Sequence, residues 1–128
     1  MNELVYQVAT DKPFEAAVAA VEEQVSRHNF KVQCIHDIQA NLAEKGFERE
    51  PLKVIEICNA KHAYSALQES NLISLVMPCR ISVFPEGDKT MISTLRPTAL
   101  LQMFQRPSLA DYAQEVEKAI TSIIDASK

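Results

Sequence analysis

Cysteines stand at two points where the chain changes direction. Cys58 closes the run LKVIEIC, from Leu52, and Cys79 follows Pro78 inside SLVMPCRISVF, from Ser74. If these runs are neighbouring antiparallel strands, the end of one lies beside the start of the other. Both thiols then fall at one rim of a sheet. Asn59 reads as the N-cap of a helix (AKHAYSALQES), so Cys58 precedes a helix N-terminus, where aligned peptide dipoles favour a thiolate and lower its pKa. His62 sits one turn into that helix and Arg80 follows Cys79. A thiol pair, a persulfide carrier or a soft-metal site would use such a composition. Cys58, Cys79, His62 and Arg80 therefore form the candidate thiol site.

A plainer reading competes with it. Cys58 and Ala63 occupy the two positions of a hydrophobic staple. Cys79 shares strand parity with Ile81 and Val83, which predicts a core-facing sulfur, and free cysteine is among the most buried residue types. No metal site is read from the spacing. There is no Cys-x-x-Cys and no His-x-x-x-His, His28, His36 and His62 are scattered, and Cys58 with His62 supplies only a pair of ligands. His36, in register with Phe30 and Cys34 along FKVQCIHDI, reads as a core-edge histidine. For nucleophilic catalysis by Cys79 with His62 as base, no third orienting group can be named.

The stretch TALLQMFQR, between Pro97 and Pro107, carries a second candidate. Leu100, Leu101, Met103 and Phe104 place apolar atoms around much of a short helix. One stripe can cover a sheet, and the rest predicts a homodimer surface or the wall of an apolar ligand pocket. A lid over the core is the alternative.

The elements that must position these groups follow from periodicity. ELVYQVA alternates as a first strand. Thr10 or Asp11 is the expected cap of a helix with Pro13 in its first turn, whose buried stripe is Phe14, Ala17, Val18, Val21 and Val25. It ends near His28 and Asn29. FKVQCIHDI is a second strand, with Phe30, Val32, Cys34, His36 and Ile38 on one face. A short helical turn follows and stops at Gly46. LKVIEIC is strand three, and CRISVFPEGDKTMISTLRP is a hairpin turning at Pro85–Asp88. Ser108, with Asp111 as capping-box partner, is expected to start a last helix with the stripe Leu109, Tyr112, Val116, Ala119, Ile120 and Ile123. The prediction is a single α+β domain over residues 1–128. It is a two-layer sandwich, with one antiparallel sheet of about five strands and two long helices on one face.

Composition narrows the function classes. The chain has 128 residues, a net charge of −4 and no basic run, which argues against nucleic acid. Gly46 and Gly87 are its only glycines, so neither a dinucleotide fingerprint nor a P-loop can be written. No window is long and apolar enough for a membrane span, and the N-terminus lacks a secretory leader. Three cysteines at wide spacing form no disulfide framework and fit a reducing cytoplasm.

ICNAKHAYSAL, LVMPCRISVF and DKTMISTLRP together resemble the bacterial and archaeal domain of unknown function 302 family. That family has Cys-Asn-Pro before a short helix, Leu-Pro-Cys before a strand, then a charged turn and a strand ending in proline. Cys58-Asn59, Pro78-Cys79-Arg80 and Pro97 match those positions, and the likeness covers roughly the whole chain. Ala60 replaces the family's proline, Met77 replaces its leucine, and Cys34 is additional. The resemblance implies a β-α-β-β-β-β-α-like arrangement and often a homodimer, and it implies no biochemical role. Two functional expectations stand. The first is a cytoplasmic, non-catalytic dimerising module with room for a small ligand. The second is a thiol-dependent redox, sulfur-handling or soft-metal protein using Cys58 and Cys79; the cofactor is unknown under either.

Overall fold

A computed structural model describes residues 3–128. Its strands are β1 (Val5–Thr10), β2 (Lys31–Asp37), β3 (Lys53–Cys58), β4 (Cys79–Glu86) and β5 (Lys89–Leu95). They form one sheet in the order β1-β5-β4-β3-β2, every pair antiparallel. The helices are α1 (Phe14–Arg27), α2 (Ile38–Ala43), α3 (Ala60–Glu69), α4 (Pro97–Gln102) and α5 (Ala110–Ser127), and a 3-10 segment spans Asn71–Val76. This is the α+β sandwich that the periodicities predict.

The long helices α1 and α5 lie against each other and against one face of the sheet. Val18, Val21 and Val25 of α1 and Val116, Ile120, Ile123 and Ile124 of α5 meet Ile55, Ile57, Ile81, Val83 and Ile92 in one buried cluster. Strand alternation explains the set, because odd positions of β3 and β4 point one way and even positions the other. A second cluster joins Ala66, Ile73, Leu101, Leu109 and Ala113, and seats α3, the 3-10 segment and α4 at one end of the sandwich. The end of α5 is tied to β1 by the Tyr6 hydroxyl, which donates to Asp125 at 2.5 Å, and by Lys12, whose ammonium reaches the carbonyls of Ser127 and Lys128.

Local chemistry differs from expectation at several element ends. Neither Thr10 nor Asp11 caps α1; Pro13 holds the cap position, with no side-chain hydrogen bond. Thr10 instead accepts from the Lys12 amide, which turns the chain before the helix begins. Ser108 does not cap α5. It lies in a 3-10 turn and donates to Glu69 at 2.7 Å, while Leu109 precedes the helix. The hairpin is tighter than predicted: Glu86 pairs with Lys89, so Pro85 belongs to β4 and Gly87, at φ +64°, takes the left-handed turn position. Asn29, at φ 64°, closes α1, with the Phe30 amide reaching back to the Val25 carbonyl at 3.0 Å.

The largest difference lies in β2. The register runs Val32↔Ile57 and then Cys34↔Glu56, so Gln33 is an extra residue, a β-bulge. Phase reverses there. Val32 and Ile35 pack on the core, whereas Cys34 and His36 lie on the opposite face of the sheet with Glu56. The predicted shared face of Phe30, Val32, Cys34 and His36 is therefore wrong beyond Val32, and His36 is not a core-edge residue. Ile38 leaves the strand altogether as the first residue of α2, which Asp37 caps by accepting from the Ala40 amide at 2.9 Å.

Candidate functional site

The cysteines of the two central strands meet at one cavity. In the β3–β4 ladder Ile57 is opposite Cys79, which puts Cys58 one residue further, beside Pro78. The Met77–Pro78 peptide is cis. Cys58, His62 and Ala63 line the cavity from the β3–α3 corner, and Cys79 lines it from β4. Leu100 and Leu101 of α4 and Tyr112 of α5 complete its wall. Its volume is about 100 Å³, and most of the lining is apolar.

Asn59 sets the corner. Its side-chain oxygen accepts from the His62 amide at 3.0 Å, the predicted N-cap, and its amide group donates to the Asn29 carbonyl at 2.9 Å. One residue thereby joins the end of α1 to the start of α3 and aims His62 inward. The His62 ring lies between Phe30 and Tyr112, with centroids 6.0 Å from each, tilted against the first and edge-on to the second. Three rings in a row form a stiff wall whose polar points are an imidazole and a phenol.

Electrostatics decide what the sulfurs can do. Burial pushes the Cys79 thiol up to about 11, with the neighbouring Cys58 adding to the rise and Arg80 opposing it. Burial also raises Cys58. The expected lowering of Cys58 by the helix N-terminus is not found; burial in the apolar corner raises the thiol instead. Tyr112 is pushed to about 12, chiefly by burial and then by the thiols. At neutral pH these groups are neutral donors, and neither thiol is an activated nucleophile.

Arg80 borders the same cavity as the other three members of the predicted thiol site, but its charged end is engaged elsewhere. Its guanidinium pairs with Glu56 at 3.3 Å on the opposite sheet face. Alternation requires this, since Arg80 follows the core-facing Cys79. Cys58, Cys79 and His62 share the cavity wall, but they do not converge as a metal set. Among the described residues the group of three or more ligating side chains with donor atoms all within 4.8 Å is Cys34, His36 and Glu56. Bulge geometry hid that group from sequence reasoning, although Cys-x-His on a strand was visible.

The four residues of the α4 stretch divide. Leu101 is 7 % exposed and Phe104 packs on the second cluster, while Leu100 lines the cavity. Met103 alone projects, 76 % exposed. The helix is held down by Glu117, which accepts from the Thr98 amide at 3.0 Å and the Thr98 hydroxyl at 2.6 Å, with Arg96 at 3.3 Å. Burial would raise the Glu117 carboxyl, but these donors outweigh it and hold the pKa below the ordinary value.

A family profile described as "Domain of unknown function DUF302" matches residues 6–127. A crystal structure of an uncharacterized conserved protein DUF302 from Bacillus stearothermophilus superposes with a TM-score of 0.93 at 27 % sequence identity, covering 98 % of each chain. Comparison with curated proteins finds no match. Among the described residues no helix is long and apolar enough to cross a membrane.

Proposed function

We propose that this chain, which belongs to the DUF302 family, is a non-catalytic module that holds a small, uncharged, largely apolar molecule between the sheet, α3, α4 and α5. The observation that carries the reading is the cavity itself: about 100 Å³, apolar, and lined by thiols and a phenol that burial keeps protonated. Such a wall offers van der Waals contact and soft polarizable sulfur, together with the His62 imidazole and Tyr112 hydroxyl as orienting groups. It offers no anionic nucleophile, which sets the thiol-chemistry alternative behind it. The cavity opens to solvent, so about 100 Å³ holds part of a ring-sized body while its polar end projects through the mouth.

Phenol is a suitable probe, with an apolar ring and one hydroxyl. Titrated into the protein, it should shift amide resonances of residues 57–63, 76–77, 79–80 and 98–101, and Ala63→Leu, which fills the cavity, should abolish the effect. An absence of shifts up to the solubility limit in the unaltered, folded protein would refute the reading. Self-association is the second component of the proposal. Around the second cluster Leu72, Leu75 and Met103 are large exposed apolar side chains beside buried Ile73 and half-buried Val76 and Phe104, a surface suited to a second copy of the chain.

A further inference from the structure

On the other face of the sheet, the bulge at Gln33 assembles a side-chain group that the cavity does not use. Cys34 and His36 are alternate residues of β2 and share one side of it. Glu56 is the cross-strand partner of Cys34 on β3. A sulfur, a ring nitrogen and a carboxylate oxygen from these residues all lie within 4.8 Å of one another. His36 Nε2 is 3.3 Å from Glu56 Oε2.

These separations are those of a divalent-cation site nearly closed. Ligands held about 2.0–2.1 Å from a tetrahedral zinc ion stand about 3.3 Å apart, and a thiolate at about 2.3 Å stands about 3.6 Å from either. The imidazole and carboxylate already have that spacing, and the exposed Cys34 sulfur lies within 4.8 Å of both. All three ligands rise from paired strands, which hold them more firmly than a loop could. Thiolate and carboxylate together balance a double positive charge, and the sulfur–nitrogen–oxygen set selects a borderline-soft ion over magnesium or calcium.

We propose that Cys34, His36 and Glu56 form a binding site for a zinc-class divalent cation, with a fourth coordination position open to solvent on this face. Binding exchanges the Cys34 thiol proton for the metal and releases that proton to water. The competing arrangement is a surface ion network, because Arg80 also reaches Glu56 Oε2 at 3.3 Å. The two predict opposite roles for Arg80. In the metal site it is a rival cation, and removing it strengthens binding.

Cobalt(II) titrated into the reduced full chain reports directly, since a cobalt–thiolate bond gives a charge-transfer absorption that oxygen and nitrogen ligands do not. A single equivalent should produce that band, and zinc should abolish it. Cys34→Ser should lose the band, His36→Gln and Glu56→Gln should each weaken binding at least tenfold, and Arg80→Gln should tighten it severalfold. The paired change Cys58→Ser with Cys79→Ser should leave it intact. No band at millimolar cobalt, a band that survives Cys34→Ser, or weaker binding by Arg80→Gln would each overturn the proposal. Loss of the band in the Cys58, Cys79 variant would do so too, by assigning the metal to the cavity. Phenol binding at the cavity is read separately, so either proposal can fail alone.

Discussion

Cys79 is the most quantitative point at which the cavity can be challenged. Its thiol is pushed to about 11. At pH 7 a free cysteine of pKa about 8.5 is roughly 3 % thiolate, against about 0.01 % at a pKa of 11, a ratio of about 300. The more basic thiolate is intrinsically the better nucleophile; a Brønsted coefficient of about 0.45 over 2.5 units recovers roughly 13-fold. Ionisation alone should therefore leave Cys79 about 20-fold slower than an unstructured cysteine toward a neutral disulfide reagent, before restricted access is counted. The assay is a timed pulse of a small disulfide reagent on the native protein, quenched in acid and resolved by peptide mass spectrometry. The exposed Cys34 serves as internal reference in the same sample. Between pH 7 and 10 the Cys79 rate should climb tenfold per pH unit without levelling near 8.5. A plateau that begins at or below 8.5, or a rate at pH 7 matching the free cysteine, would refute the desolvated cavity and restore the thiol-chemistry reading.

The remaining predictions concern what holds the cavity wall. Asn59→Ala removes the α3 cap and the bond to the Asn29 carbonyl; it should cost about 1–2 kcal/mol in urea unfolding. A loss under a few tenths would show that the corner is held otherwise. Glu117→Gln should cost about 1 kcal/mol and speed amide exchange in α4. The Glu117 pKa is depressed in the fold, so its stabilisation is complete above the ordinary 4.5 and is lost as pH falls through the lower folded value. The variant should flatten that acid limb, and an unchanged acid profile would contradict the assignment. Cys79 has its pKa raised from 9.0 to about 11, so the neutral-thiol contribution is complete below 9.0 and is lost as pH rises toward 11. Cys79→Ala should remove that alkaline decline in stability. If the chain self-associates as proposed, Met103→Glu should shift the sedimenting species to a monomer with folding intact; a parent chain that is already monomeric, or a variant that stays associated, would refute that surface.

Much of the fold was legible because its signals are local. Val18, Val21 and Val25 recur at helical spacing, Ile55 and Ile57 alternate as a half-buried strand does, and Asn59 precedes its helix as a cap should. What failed depends on partners distant in the chain. Ser108 has the right spacing for a cap, but Glu69, 39 residues away, takes its hydroxyl. Cys34 and His36 sit on the alternation begun by Phe30, and nothing in FKVQCIHDI reveals that Gln33 will be squeezed out against a shorter β3. The candidate site was half legible. Antiparallel pairing brought Cys58 and Cys79 to one rim as reasoned, yet the burial that raises Cys58 depends on packing distant in the chain. The pairing of the Arg80 side chain with Glu56 on the other face follows from alternation alone.

The bulge in β2 has a consequence for how the molecule lives at high concentration. β2 is an edge of the sheet, and a straight edge strand offers unpaired amides and carbonyls to any passing chain. An extra residue bends and twists the strand, which spoils it as a template for fibrillar stacking. Deleting Gln33 would restore a flat ladder in which Val32↔Ile57 is followed directly by Cys34↔Glu56, leaving Cys34 outward and Ile35 on the core but making the edge a regular template. In the full chain the irregularity that aims Cys34 and His36 outward is thus also a guard against aggregation, and the deletion separates the two roles by removing only the guard.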